Sequence, residues 1–482
     1  MKKPDVSITH TEKLSGVQDG LPLPARYGAI IAIAFGISVS VLDGAIANVA
    51  LPTIARDLNT TPTYSIWIVN AYQVAMMISL LSFSSIGEIW GYRKVYILGL
   101  GLFTCTSLLC ALSDSLVTLT VARALQGFGA AAIVSVNTAL LRIIYPAKFL
   151  SRGIGINALI VSVSAAAGPT IASGILSIAS WPWLFAINIP VGLIAFGLAY
   201  RFLPQNTAKT PGRKFDITSG IMNALTFGLI ILVIEGFTHN FGLYIILSAI
   251  IALIISASVF VNRERKKAAP IFPVDLFRIP VFTLSVSTSL ISFIAQMLAM
   301  VSLPFFIQTN LGKDAVATGL LLTPWPLATM VSAPLAGVLS SKINAGLLGG
   351  IGLSIFAVGL FFLGALPEHP TDIQIIWPMA VCGFGFGLFQ TPNNSTMISS
   401  APPNRSGGAS GMLGTTRLVG QTTGAALVAL LFNVFPSNSM HVSLYLACGI
   451  AVVAAIVSML RIGKPTVAEL NRSKTTTTVS DP

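Results

Sequence analysis

Two residues of opposite charge stand in apolar sequence where charge is expensive. Asp43 lies in VLDGAIANVALP, residues 41–52, in the outer half of the first long apolar stretch. Arg123 lies in LTVARALQGFGAAA, residues 119–132, a turn or two inside the fourth stretch, with Gln126 following at i+3 on the same helix face. An acid or base at the centre of a membrane helix costs about 2.5 to 3.5 kcal/mol on insertion scales, and such residues usually face water-filled cavities and work there. Counting from the helix ends puts Asp43 and Arg123 at similar depths. A pair there lowers the cost of both charges, and protonating Asp43 would release Arg123. That is the chemistry of a proton-linked switch, with a permanent structural ion pair as the alternative.

The other candidates would line or serve a cavity. Trp67, Tyr72, Phe293, Met297 and Trp325 offer aromatic and thioether surface that adapts to varied apolar ligands, and ordinary helix packing is their competing role. A cationic ligand would gain from the rings and from ionised Asp43. In GFGFGLFQTPNN, residues 383–394, the amides Gln390, Asn393 and Asn394 stand at helical spacing beside Pro392, either in a cavity or as glue between helices. Glu235, near the outer end of the seventh stretch, is a cavity carboxylate or an interfacial residue reached by water. Arg417, in GMLGTTRLVGQ, lies in the inner half of the thirteenth, where it can snorkel to the cytoplasm or face the cavity.

These residues are positioned by a chain that is 54% hydrophobic and 9% charged, against roughly 25% charged in a soluble chain. Apolar runs of about 20 residues, enough to cross ~30 Å of hydrocarbon, recur at 28–50, 64–84, 95–113, 116–140, 153–177, 183–203, 217–236, 242–261, 281–303, 316–339, 345–365, 373–397, 406–432 and 441–460. They predict an all-α membrane protein with 14 transmembrane helices. With both ends inside, 24 of the 28 Lys and Arg fall on the cytoplasmic side, which supports the even helix number as well as the orientation. The net charge of +12 is then a topology signal and an attraction to anionic lipid heads rather than a sign of nucleic acid. Residues 1–26 lack the ordered regions of a signal peptide, so the first helix is expected to be retained. Cys105, Cys110, Cys382 and Cys448 all fall in apolar runs without metal-type spacing.

Four motifs sit on this frame. SSIGEIWGYRKVY, residues 84–96, puts Glu88, Gly91 and Arg93 in a very tight connection, where the acid can pair across helix ends and the glycine permits a turn that a side chain would block. It resembles the loop between helices two and three of the major facilitator superfamily, with Ser84, Glu88 and Ile89 in place of that motif's Gly, Asp and first Arg. The Arg123 segment resembles the family's Arg-x-x-x-Gly motif, whose arginine contacts the proton-binding region. SAAAGPTIASG, residues 164–174, places Gly168 and Pro169 in helix five like the Gly-Pro motif of the superfamily's antiporters. WPWLFAINIPVG, residues 181–192, resembles the signature entering helix six of the fourteen-helix drug:proton antiporter branch, with Pro182 where that branch often has Arg.

The resemblance covers residues 27–461. It implies a cytoplasmic tail over 1–26, a six-helix bundle over 27–204, a linker with two extra helices over 205–266, a second six-helix bundle over 267–461 and a cytoplasmic tail over 462–482. The activity it implies is proton-coupled efflux of lipophilic, cationic compounds by alternating access, from a monomer in the cell membrane with both termini cytoplasmic. No cofactor is expected beyond the proton gradient, and the partners are a small-molecule substrate, protons and the lipid bilayer. A metabolite exporter or importer of the same fold is the alternative. A membrane-embedded enzyme is disfavoured because His10, His239, His369 and His441 fall in tails, loops or at a helix edge. The sequence has no ATP-binding G-x-x-x-x-G-K-[ST] motif.

Overall fold

In a computed structural model the described residues are 20–146, 149–205, 215–238, 241–267, 270, 272–340, 342–401, 406–436 and 438–462. They are helical without strands. The helices are Leu23–Asp57 (α1), Pro62–Trp90 (α2), Tyr92–Ala111 (α3), Leu116–Ile144 (α4), Leu150–Ile178 (α5), Pro182–Phe202 (α6) and Ile217–Thr238 (α7). They continue with Leu243–Glu264 (α8), Pro280–Asn310 (α9), Ala315–Leu339 (α10), Ala345–Gly364 (α11), Asp372–Ser399 (α12), Ser406–Val434 (α13) and Ser439–Met459 (α14). Among the described residues, 13 are long and apolar enough to cross a membrane by length and composition; α5 stands at the fifth run of the sequence. The chain is a multi-pass membrane protein.

The helices form where an apolar run is long and end where the sequence supplies caps or frees the backbone. The helices α2, α4, α10 and α12 begin on Thr61, Ser115, Asp314 and Thr371. Ser115 and Thr118 exchange bonds in a capping box, and Asp314 accepts the Ala317 amide at 2.7 Å, so donors orphaned at a helix start are satisfied. All four caps lie at the same end of the molecule, hereafter the far end. The opposite end, with Arg93, Arg201 and Lys267, is the basic end. There α2 passes into α3 through Gly91 alone, whose φ of 109° belongs to glycine.

The packing repeats. Helix α1 lies on α5 and α6, α4 on α2 and α3, and α3 on α6; the same pairings recur with each helix number raised by eight. The two sets meet through α5 against α10, α2 against α13 and α1 against α9, while α7 packs on α2 and α13 and carries α8. At the far end they are tied by hydrogen bonds. Thr53 donates to Gln308 Oε1 at 3.2 Å, Gln308 donates to the Val49 carbonyl at 3.1 Å, and Ser173 donates to the Ala315 carbonyl at 3.0 Å.

Outside the membrane span at the basic end, Asp216 caps α7 by accepting the Ser219 amide at 3.0 Å. Lys267 pairs with Asp216 at 2.6 Å and with Glu264 at 2.5 Å, which fastens the start of α7 to the end of α8. Burial pushes the Asp216 carboxyl up, but hydrogen bonds from Lys267, the Ser219 amide and Arg263 outweigh it and hold it below the usual carboxylate range.

Candidate functional site

Asp43 and Arg123 meet. Arg123 Nη1 stands 2.5 Å from Asp43 Oδ2, and the two side chains are 0% and 1% exposed. The second oxygen, Oδ1, accepts Asn188 Nδ2 at 2.7 Å and Gln126 Nε2 at 3.1 Å. Gln126 in turn accepts Arg123 Nη1 at 2.6 Å and donates to Ser107 at 2.8 Å, and Arg123 Nε donates to the Ile68 carbonyl at 3.2 Å. The guanidinium lies 4.2 Å from the Tyr72 ring centre and 5.5 Å from that of Phe185. So α1, α2, α3, α4 and α6 each contribute to one charge-neutral cluster. A buried pair is costly unless its polar atoms are satisfied; both carboxylate oxygens are, while Arg123 Nη2 is buried without a hydrogen-bond partner among the described residues.

The cluster is sealed. Between the two six-helix sets lies a cavity of about 260 Å³, lined by residues that include Ser40, Asn48, Tyr72, Gln73, Phe293, Gln296, Met297, Trp325, Gln390, Arg417 and Gln421. Asp43, Arg123 and Gln126 are not in its wall. Tyr72 is, and its ring covers the guanidinium while its hydroxyl donates to the Ser40 carbonyl at 3.2 Å. Tyr72 therefore divides the ion pair from the cavity.

Of the residues singled out in the sequence, Tyr72, Phe293, Met297, Trp325 and Gln390 line the cavity, as does Pro169. Gln126 does not; it belongs to the ion-pair cluster because its amide is needed by Asp43. Trp67 packs half-buried against the core of the first set, since it precedes Tyr72 by five residues and points to another face of α2. Asn393 is buried at the basic end, where it donates to Ser289 at 2.8 Å and accepts Arg461 Nη1 at 2.6 Å. Asn394, half-buried, is not in the cavity wall. The side chain of Glu235 lies outside the described residues.

Arg417 corrects the snorkelling reading. Its guanidinium lines the cavity, because packing of α13 on α9 and α2 turns that face inward. Asp43 is already paired behind Tyr72, and among the described lining residues the one charged side chain is Arg417.

The connection motif works as local architecture. Glu88 is half-buried in the last turn of α2, and Arg93 donates to the Tyr200 carbonyl and lies 5.8 Å from the Tyr200 ring centre, tying α3 to α6. At Gly168 an added Cβ would come 2.4 Å from Ala45 Cβ, so glycine sets the approach of α5 to α1 two residues from Asp43. Pro169 has no N–H to donate, so α5 loses one helical hydrogen bond there, and the Pro169 carbonyl accepts the Ser173 hydroxyl at 2.7 Å. Sequence reasoning missed Asn188 and Ser107 as partners. The available signal was an amide, Asn188, in the otherwise apolar run that follows the paired tryptophans.

A family model described as Major Facilitator Superfamily matches residues 33–425. The chain is 62% identical to "Uncharacterized transporter YebQ" of Escherichia coli (strain K12), over 93% of this chain and 98% of that one. It is 30% identical to "Riboflavin transporter RibZ" of Clostridioides difficile (strain 630), over 84% and 88% of the two chains. It is 29% identical to "Multidrug resistance protein Stp" of Mycobacterium tuberculosis (strain CDC 1551 / Oshkosh), over 86% and 77%. A POT family transporter crystallised with 5-aminolevulinic acid shares the fold, with a TM-score of 0.69 at 14% identity, over 92% and 97% of the chains.

Proposed function

The chain belongs to the major facilitator superfamily, and from that premise we propose that it is a proton-coupled exporter of lipophilic small molecules working by alternating access. The observation that carries this reading is the Asp43–Arg123 pair, buried one aromatic ring away from a central cavity. Asp43 is held by Arg123 through one carboxylate oxygen. Taking up a proton removes the attraction, and the freed guanidinium must find other partners, which changes the balance of packing among α1, α2 and α4. Tyr72 touches both sides of this arrangement, so displacement of its ring by a ligand bears on the pair. In the sealed conformation no proton reaches Asp43 through the cavity; exchange requires the far-end contacts of Gln308 and Ser173 to part. The basic end is cytoplasmic in this scheme and the protein resides in the cell membrane, with protons entering from the far side as substrate leaves.

The resemblance to a multidrug resistance protein supports export of a foreign compound, and the resemblance to a riboflavin transporter supports the second reading, movement of a metabolite by the same fold. The test is transport in proteoliposomes under an imposed pH gradient. Asp43→Asn is expected to abolish substrate-dependent proton movement while the folded protein persists. An Asp43→Asn chain that moves substrate and protons like the native one refutes the coupling.

A further inference from the structure

We propose that the central cavity takes an amphipathic organic anion, an aromatic carboxylate or a compound of similar acidity, whose negative oxygens pair with Arg417 while its ring lies among Phe293, Trp325 and Phe386. This deepens the exporter reading by naming its substrate class. Arg417 enters the cavity from α13, and its Nε is buried without a hydrogen-bond partner. No ion pair of Arg417 exists among the described residues. The acid that would neutralise it from across the cavity is engaged elsewhere: Asp43 spends both oxygens on Arg123, Gln126 and Asn188 behind Tyr72.

The rest of the wall agrees with a ligand that brings an anion and a flat apolar body. Gln73, Gln296, Gln390 and Gln421 supply neutral amides, and the buried carbonyl oxygens of Asn48 and Gln296 lack partners, so a ligand N–H or O–H has somewhere to go. Phe293 and Phe386 stand edge to face at 5.5 Å, and Trp325 and Phe386 each pack on Phe356 in the same manner. A guanidinium without a carboxylate partner can take one through two parallel bonds, which an amide or an ammonium group cannot supply. The direction of export also suits an anion, because an inside-negative membrane potential drives negative charge outward.

The experiment is equilibrium binding of three probes of one shape, 2-naphthoate, 2-naphthamide and 2-naphthyltrimethylammonium, to the full chain in phosphatidylcholine nanodiscs at pH 7.5. The acid is expected to bind at least about tenfold more tightly than either of the others. Arg417→Gln removes that preference and leaves the amide's affinity unchanged, which also shows the cavity intact, and Arg417→Lys keeps only part of it. Equal preference for the acid in Arg417→Gln overturns the proposal. So does a native chain that binds the ammonium or the amide as tightly as the acid, or none of the three, and these outcomes decide the matter even if the variant does not fold. Binding needs no pH gradient, so a chain that prefers the acid but ignores the gradient overturns the coupling scheme and leaves the anion site standing.

Discussion

The first and last six helices share one pattern of contacts but bury charge in opposite ways. In the first set the buried guanidinium of Arg123 has its own acid, and the cluster is neutral and closed. In the last set Arg461 has no acid among its described partners. It is held by neutral oxygens, with Nη1 on Ser285 at 2.9 Å and Asn393 at 2.6 Å, and with Nη2 on Ser458 Oγ at 2.6 Å, beside the carbonyl end of α14. Arg417 has the cavity. One set thus closes a matched pair away from the cavity that both sets line, whereas the other presents the unmatched charge of Arg417 to it.

The sharpest way to break the comparison is to unbalance the closed pair. Arg123→Leu leaves Asp43 buried without its partner, and is expected to cost about 3 to 5 kcal/mol, read as a large fall in the melting temperature in detergent. Adding Asp43→Asn to it should recover part of that loss. A single variant as stable as the native chain would mean that the pair is not the structural unit described above.

The neutral-oxygen site should be less costly to lose. Arg461→Met is expected to destabilise by about 2 to 3 kcal/mol, because Asn393 and Ser458 lose a charged donor but no opposite charge is stranded. Burial pushes the Arg461 guanidinium down to about 10, so it remains a cation at neutral pH. A base with a lowered pKa in the folded state carries its penalty at all lower pH, and stability would rise only as pH climbs through that value. A melting temperature of native and Arg461→Met chains that differs by a constant amount from pH 6 to 8 checks this.

Two glycines sharpen the comparison through packing alone. A Cβ at Gly127 on α4 would lie 2.4 Å from the Tyr72 carbonyl, and one at Gly383 on α12 would lie 2.0 Å from the Trp325 carbonyl. These are the same helix pairing in the two sets, and in each the partner residue is an aromatic of the cavity wall. Either Gly→Ala change should cost about 1 to 3 kcal/mol, with Gly383→Ala the worse, and should weaken ligand binding by moving that ring.

The smallest effect belongs to the surface. Asp216→Asn should cost about 0.5 to 1 kcal/mol, since its partners are solvent-screened. Because the folded-state carboxyl is held below its ordinary value, its contribution is full above about pH 4 and is lost as pH falls below that, which an acid titration of stability would show.

The helices and the ion pair were legible in the sequence because both follow from local cost. A run of about 20 apolar residues crosses a bilayer whatever its neighbours do. Two lone opposite charges at one depth, Asp43 and Arg123, have few ways to be tolerated except together. Gln126 and Asn393 were read as amides of interest without their partners, since an amide mid-helix satisfies cavity, cluster and interface equally well on paper. From the residues alone one could therefore read where the membrane-length helices fall, which residues carry the expense of buried charge, and that Asp43 and Arg123 belong together. Only the tertiary structure decided which way each helix is turned about its axis. That rotation is set by packing against neighbours distant in the chain, and it is what put Tyr72 between the pair and the cavity, withdrew Trp67 from it, and aimed Arg417 into it.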